Sequence, residues 1–218
     1  MQDFTNVREK FMKKFVVCTA LAVCLSAPAI VDAGLPSLPG LGSKPNSDLG
    51  ASQTGLVKSY VGANKDVLMS QSKLLEALGL KDKAAAARAT ADSLGDGATK
   101  GNLQDADKAQ SDDSKALAEA LKAPAGKMDD QSKKTYTQGL ILLASGMTKY
   151  TGMRKDIDSF KSGLSGASIM ETPKLQTGAY VVTSFPGNLQ NLTETMKNAV
   201  AFAKSNGIEV PSEATAVI

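Results

Sequence analysis

The sequence predicts an all-α protein, an antiparallel bundle of four to five helices with no sheet. Three observations predict this class. Apolar residues recur at steps of three and four through most of the chain after residue 46, which is the spacing of one helical face. Regular alternation of apolar and polar residues, typical of strands, is absent over any useful length of the sequence. Residues branched at Cβ, which favour strands, are sparse.

The first 33 residues predict an export signal. Lys13 and Lys14 precede an uncharged apolar run over residues 15–27, and residues 31–33 offer small side chains where a signal peptidase cleaves. The apolar run is shorter than the ~20 residues that a membrane-spanning helix needs. We therefore expect residues 1–33 to be a cleaved signal peptide of a bacterial protein. The working protein is then periplasmic or secreted, with no transmembrane segment left after cleavage.

Two alternatives concern this segment. Met12 suits the signal pattern better than Met1 as the true start, because residues 1–11 are mixed and charged. Cys24, after Leu-Ala-Val, resembles the lipidated first residue of a bacterial lipoprotein. Val23 departs from that pattern, since its position normally holds a small residue. A cysteine that serves as a small apolar side chain of the signal is the favoured interpretation.

Composition excludes several classes of chemistry. The chain has no histidine and no tryptophan, and its two cysteines both lie within the signal. This excludes histidine-dependent triads, thiol nucleophiles, Cys/His zinc sites and disulfides from the remainder. The formal net charge of +3 is small and interspersed, which argues against nucleic-acid binding. The acidic pairs do not match a calcium-binding loop. We expect no enzyme activity, no metal and no cofactor.

Residues 34–46 are rich in proline and glycine, which excludes a helix there. Leu35, Leu38 and Leu41 recur at every third position and would share one side of a polyproline-II segment. Two interpretations remain. These leucines form a docking peptide for a partner, or the segment is a tether between signal and domain. The tether is the favoured interpretation.

Residues 47–78 predict a long first helix, which Ser47 or Asp48 caps and Gly79 ends. One stripe of this helix is expected to be buried. Two polar residues stand in phase with the apolar ones in that stripe, which comprises Val57, Tyr60, Asn64, Val67, Gln71, Leu74 and Leu78.

Residues 81–94 predict a second helix with an alanine run at Ala84–Ala87, whose small side chains suit close approach. Residues 102–122 predict a third helix, for which Asn102 is the expected cap. Proline and glycine follow and interrupt the helical pattern.

Residues 129–164 predict a fourth helix that Asp129 or Asp130 opens. Gly139 and Gly146 lie seven residues apart, on nearly one face of it. A glycine costs about 1 kcal/mol against alanine in a helix, so a close helix crossing is expected here. The alanine run of the second helix is the expected partner.

Residues 173–205 predict a fifth helix. Its apolar phase continues through Pro186, which favours one kinked helix over two. Asn206 and Gly207 end it. The predicted bundle domain therefore covers residues 47–207, and residues 208–218 are expected to be an extended tail or a frayed end.

Two segments share the pattern Tyr-x-Gly-x-x-Lys-Asp-(Val/Ile), 90 residues apart. An ancient duplication would bring their polar groups to a shared site. Coincidence between helices of similar composition is the favoured alternative, because the similarity fades within a few residues. The motif residues are Tyr60, Lys65, Asp66, Tyr150, Lys155 and Asp156.

Methionine and aromatic residues of the fourth and fifth helices suggest an adaptable apolar pocket. Plain core is the alternative at this helical spacing, and it is favoured. The candidate lining residues are Met147, Tyr150, Met153, Phe185 and Met196.

The sequence thus predicts an exported, non-enzymatic helical-bundle protein that binds another component of the cell envelope, in a structural or accessory role. The expected partner is an envelope protein or a second copy of the chain. The alternative is a carrier or chaperone that holds a lipid or another apolar ligand between the fourth and fifth helices. No nucleic-acid partner is expected.

Overall fold

The computed structural model describes residues 47–122, 128–170 and 172–218. Within these ranges the chain forms seven α-helices, one short 3-10 helix and no strand, which confirms the all-α prediction. The predicted signal, the tether and the leucines Leu35, Leu38 and Leu41 lie outside the described residues.

The helices follow one another with short connections. Their bounds are α1 Ser47–Ala77, α2 Lys81–Ser93, α3 Lys100–Ala120, α4 Asp130–Gly152, α5 Arg154–Leu164, α6 Gln176–Ser205 and α7 Ser212–Ala216, with a 3-10 helix at Thr172–Leu175. The helix count exceeds the predicted four to five because one predicted helix is divided and the tail contains another.

Local signals explain several helix ends. Gly79 and Gly207 adopt φ values of 82° and 60°, which residues with a Cβ rarely adopt, so both end their helices as predicted. Asp129 caps α4 by accepting a hydrogen bond from the Ser132 amide at 2.7 Å.

The predicted cap of α3 at Asn102 is wrong. Thr99 is the cap, and Asn102 is the third residue of the helix. The Asn102 amide donates to Thr99 Oγ1 at 3.3 Å, while Asn102 Oδ1 accepts from the Thr99 amide at 3.0 Å. This reciprocal capping box places the cap three residues before the expected one.

The predicted single helix over residues 129–164 is also wrong, because α4 and α5 are separate. The Met153 amide donates a bifurcated hydrogen bond to the carbonyls of Lys149 and Tyr150, at 3.3 and 3.1 Å. This bond tightens the last turn of α4. The apolar phase nevertheless continues through Met153 into α5. A local break that preserves side-chain phase leaves no mark in the sequence pattern.

Two predictions about the last third of the chain had different outcomes. Pro186 lies inside one continuous helix, α6, as expected. The extended tail is wrong over residues 212–216, which form α7. Ile208 and Ala214 are buried, and Thr137 Oγ1 donates to the Glu209 carbonyl at 3.1 Å. Burial of these apolar residues against α4 orders the tail.

The centre of the bundle is the antiparallel crossing of α1 and α4. A Cβ at Gly139 would lie 2.8 Å from the Leu74 side chain, and one at Gly146 would lie 2.7 Å from Val67 Cγ2. The glycines therefore permit a close crossing, as predicted. The predicted partner is wrong, since α1 and not the alanine run of α2 occupies this space.

Candidate functional site

An open groove of about 530 Å³ lies between α5 and α6. Its floor is apolar and its edges are polar. The floor consists of Ile157, Val182, Phe185, Pro186 and Leu189, and the edges consist of Arg154, Asp158, Lys161, Gln190 and Thr193.

Helical spacing produces the two walls of this groove. Arg154, Asp158 and Lys161 follow one another at steps of four and three, so they form one exposed row along α5. Val182 and Leu189 lie seven residues apart on one face of α6, and both are half-buried. Short α5 covers only part of that apolar stripe, and the uncovered part is the groove.

The candidate ligand-lining residues are buried in the core, and one of them also lines the groove. Met147, Tyr150, Met153, Phe185 and Met196 are all at most 6% exposed. Phe185 alone of these five lines the groove, and its ring lies 5.9 Å from that of Tyr150 behind it. The sequence analysis missed Ile157, Val182 and Leu189 as lining residues, because phase alone does not show where a buried stripe reaches the surface.

A cluster of polar side chains surrounds the Tyr60 hydroxyl between α1, α3 and α6. This hydroxyl donates to Asp107 Oδ2 at 2.7 Å and accepts from Asn188 Nδ2 at 2.6 Å. Ser184 Oγ lies 3.0 Å from it. Tyr180 donates a second hydrogen bond to Asp107 Oδ2 at 2.6 Å. We call these five residues the Tyr60 cluster.

Burial dominates the electrostatics of the Tyr60 cluster. It raises the pKa of Asp107 above its usual range, although hydrogen bonds from Tyr180 and Tyr60 oppose this shift. Burial also raises the pKa of Tyr60 and of Tyr180, so both remain protonated donors at neutral pH. Asp107 Oδ1 is buried without a protein hydrogen-bond partner. The cluster joins α1, α3 and α6 through Asp107 Oδ2, which accepts hydrogen bonds from both Tyr60 and Tyr180.

A second polar group extends the same seam. Gln71 Nε2 donates to the Gln110 carbonyl and to Ser114 Oγ, both at 2.9 Å. Thr195 Oγ1 lies 3.2 Å from Ser114 Oγ and links α6 to α3. Nearby on α3, burial raises the pKa of Asp113 to about 6.

The structure brings together only the tyrosines of the repeated motif. The Tyr60 and Tyr150 rings meet edge to face, 5.5 Å apart. Asp66 pairs with Lys149 Nζ at 2.7 Å on α4.

The other Lys-Asp groups of the motif lie elsewhere. Lys65 is half-buried on α1, whereas Lys155 and Asp156 are exposed on α5. The two Lys-Asp groups therefore do not face a shared site. Coincidence, the favoured origin of the motif, stays a prediction, as does the alternative of duplication.

Within the described ranges, no three acidic side chains are grouped so that they could hold a metal ion. None of the described helices is both long enough and apolar enough to cross a membrane. No family model, no curated protein and no solved structure matches this chain significantly.

Proposed function

We propose that this protein is an exported, non-enzymatic bundle that binds another component of the cell envelope through the groove between α5 and α6. The observation that carries the proposal is the groove itself, an apolar concavity of about 530 Å³ with polar edges. Ligand sites are typically apolar concavities of roughly 300–1,000 Å³ with a few orienting polar groups.

The Tyr60 cluster is a less suitable binding site than the groove. Its polar side chains bond to one another and join helices, which is a structural arrangement. The groove instead presents partly exposed apolar residues such as Val182 and Leu189, which gain from a partner that covers them. It also lies where α5, a helix of 11 residues, leaves the longer α6 uncovered.

A carrier or chaperone for an apolar ligand is the second candidate. The groove lies between the fourth and fifth predicted helices, which is where a carried ligand was expected. Its volume is in the lower half of the range of roughly 300–1,000 Å³ that small-molecule sites occupy. This size favours a lipid-like component over a large protein surface.

Site-specific photocrosslinking tests the proposal. A photoreactive amino acid replaces Leu189 in the groove, and a matched control places it at Gln104, an exposed position on α3. Each variant is expressed in its own host and irradiated in intact cells, and the adducts are identified by mass spectrometry. We expect a stoichiometric adduct at position 189 that is absent at position 104. Equal labelling at both positions, or none at either, contradicts the proposal.

A further inference from the structure

We infer that the groove binds a single-chain amphiphile with an anionic head group, such as a fatty acid or a single-chain phosphate. This inference rests on the proposed function, because it takes the groove as the binding surface. It goes further in naming the chemistry of the ligand, which three features of the groove specify: its volume, its apolar floor and the charges along its edge.

The volume matches a slender occupant better than a docked helix. A helix about 10 Å in diameter, rising 1.5 Å per residue, fills roughly 120 Å³ per residue, so the groove holds about one turn. One turn presents too few side chains for a specific helix-in-groove interface, which uses anchors spread over two turns. A single acyl chain is thinner and lies lengthwise in the same space.

The floor suits an acyl chain because it is apolar along its length. Val182 and Leu189 lie seven residues apart on α6, and about 10 Å of helix separates them. Phe185 lies between them with only 6% of its surface exposed, so the floor is firmly backed by the core. Each CH₂ group that is buried there adds to the affinity, and the contacts require no directional partner.

The edge specifies the sign of the head group. Arg154 and Lys161 flank Asp158 in the exposed row on α5, so this row carries one net positive charge. On the opposite edge, Gln190 offers uncharged hydrogen-bond donors, whereas the Thr193 hydroxyl donates to the Leu189 carbonyl at 2.9 Å. A guanidinium group binds carboxylates and phosphates through two parallel hydrogen bonds. The edge therefore complements an anionic head group on an apolar chain.

Isothermal titration calorimetry of the purified, delipidated protein tests the inference. The probes share one chain length and stay below their micellar concentrations: dodecanoate, dodecyl phosphate, dodecanol and dodecyltrimethylammonium. We expect both anions to bind about tenfold more tightly than the cation, since a hydrogen bond to a charged group is worth about 1.5 kcal/mol. The double variant R154Q/K161Q should lose that preference and bind dodecanol within twofold of the original protein.

Two further variants complete the test. K155Q/K197Q removes the same number of positive charges from exposed positions on α5 and α6 outside the groove, and it should retain the preference for anions. D158N removes the negative charge of the row and should strengthen dodecanoate binding about threefold. Equal affinity for all four probes, or equal losses in R154Q/K161Q and K155Q/K197Q, overturns the anionic head group.

The outcomes separate this inference from the proposed function. If position 189 crosslinks specifically in cells but no amphiphile binds the purified protein, the inference fails and the groove remains a binding surface. If position 189 gives no specific adduct, the proposed function fails. Binding of anions that R154Q/K161Q abolishes, together with a lipid adduct at position 189, supports both.

Discussion

The two sides of α1 contact their neighbours in different ways. Towards α4, the contact is close, with Leu74 and Val67 against the bare backbone of Gly139 and Gly146, and it also carries hydrogen bonds such as that from Ser70 Oγ to the Gly139 carbonyl at 2.7 Å. Towards α3, the contact includes the Tyr60 cluster and the hydrogen bonds of Gln71. Polar pairs therefore occur on both sides of α1, and the glycines that permit a close approach lie on the α4 side.

Unpaired polar atoms are concentrated on the α3 side. Among the described residues, four buried side-chain atoms lack a protein hydrogen bond. Three of them, Gln71 Oε1, Asp107 Oδ1 and Gln110 Oε1, belong to residues that bond across the α1–α3 contact. The fourth, Asn64 Nδ2, is on the α4 side, where Asn64 Oδ1 accepts from the Tyr150 hydroxyl at 2.8 Å. A buried polar group without a partner costs about 1–3 kcal/mol. The α1–α3 contact is therefore weaker than the α1–α4 contact, and α3 should separate first from the bundle.

This difference has a consequence for specificity. Close packing against glycine fixes the distance between α1 and α4. The hydrogen bonds of Tyr60 and Gln71 to α3 favour one register of that helix, because a shift of one residue leaves several of them unmade. These hydrogen bonds thus help to set the position of α3.

The largest expected effect tests the α4 side. Gly146→Ala places a Cβ 2.7 Å from Val67 Cγ2 and 3.3 Å from the Ala63 carbonyl. Overpacking costs about 1–3 kcal/mol, so we expect the free energy of unfolding in urea to fall by about 2 kcal/mol. The control is Gly62→Ala in α1, where nothing lies within 4 Å and the helix should gain about 0.5–1 kcal/mol. Similar changes for both variants would contradict the close crossing.

An intermediate effect tests the Tyr60 cluster. Tyr60→Phe removes one of the two tyrosine donors to Asp107 Oδ2 and leaves Asn188 without its acceptor. We expect a loss of about 1.5 kcal/mol, because a buried polar group then lacks its partner. Amide hydrogen exchange should show that the added opening occurs in α3 and not in α4. Faster exchange in α4 as well would break the comparison between the two sides.

The smallest expected effect is a pH dependence on the α3 side. The folded pKa of Asp113 is about 6, above its usual value of 3.8, because burial disfavours the charged form. The folded state thus binds the proton more tightly, and the stability that this contributes is lost as pH rises from about 4 to 6. Asp113→Asn should remove this loss and gain about 1 kcal/mol at pH 8, after allowance for solvent screening.

The control for this pH dependence lies one residue away. Asp112 is exposed, and its hydrogen bond with Lys108 lowers its pKa. Asp112→Asn should slightly weaken the fold at pH 8 and have no effect once pH falls below that lowered pKa. Urea unfolding at several pH values measures both variants. At pH 8 we expect the two substitutions to change the free energy of unfolding in opposite directions. A change in the same direction for both would contradict the role assigned to Asp113.

The sequence alone allowed much of the fold to be predicted. The predicted stripe of α1, including the polar Asn64 and Gln71, is buried as the period indicated, except for Leu78, which is half-buried and follows the end of the helix. The helix ends at Gly79 and Gly207 could be predicted, because few residues other than glycine adopt a positive φ. The break at Met153 could not be predicted from the sequence, since α5 continues the phase of α4.

The candidate site was predictable only in part. Phe185 was named as a lining residue, whereas Tyr150 and the methionines are core. Asp107, the centre of the Tyr60 cluster, had no sequence signal beyond a charged residue on a helix. Its hydrogen-bond partners Tyr60 and Tyr180 come from α1 and α6, 47 and 73 residues away along the chain. Contacts over such separations depend on how the helices assemble.

The sequence by itself determined the all-α class, the inward face of each long helix, several helix ends, and the absence of histidine and tryptophan chemistry. The tertiary structure decided which faces meet, so that α1 and not α2 fills the space beside Gly139 and Gly146. It also decided that α5 leaves a groove on α6. The physical reason is that periodicity belongs to one helix, whereas shape and charge complementarity exist only between surfaces that are distant in the chain.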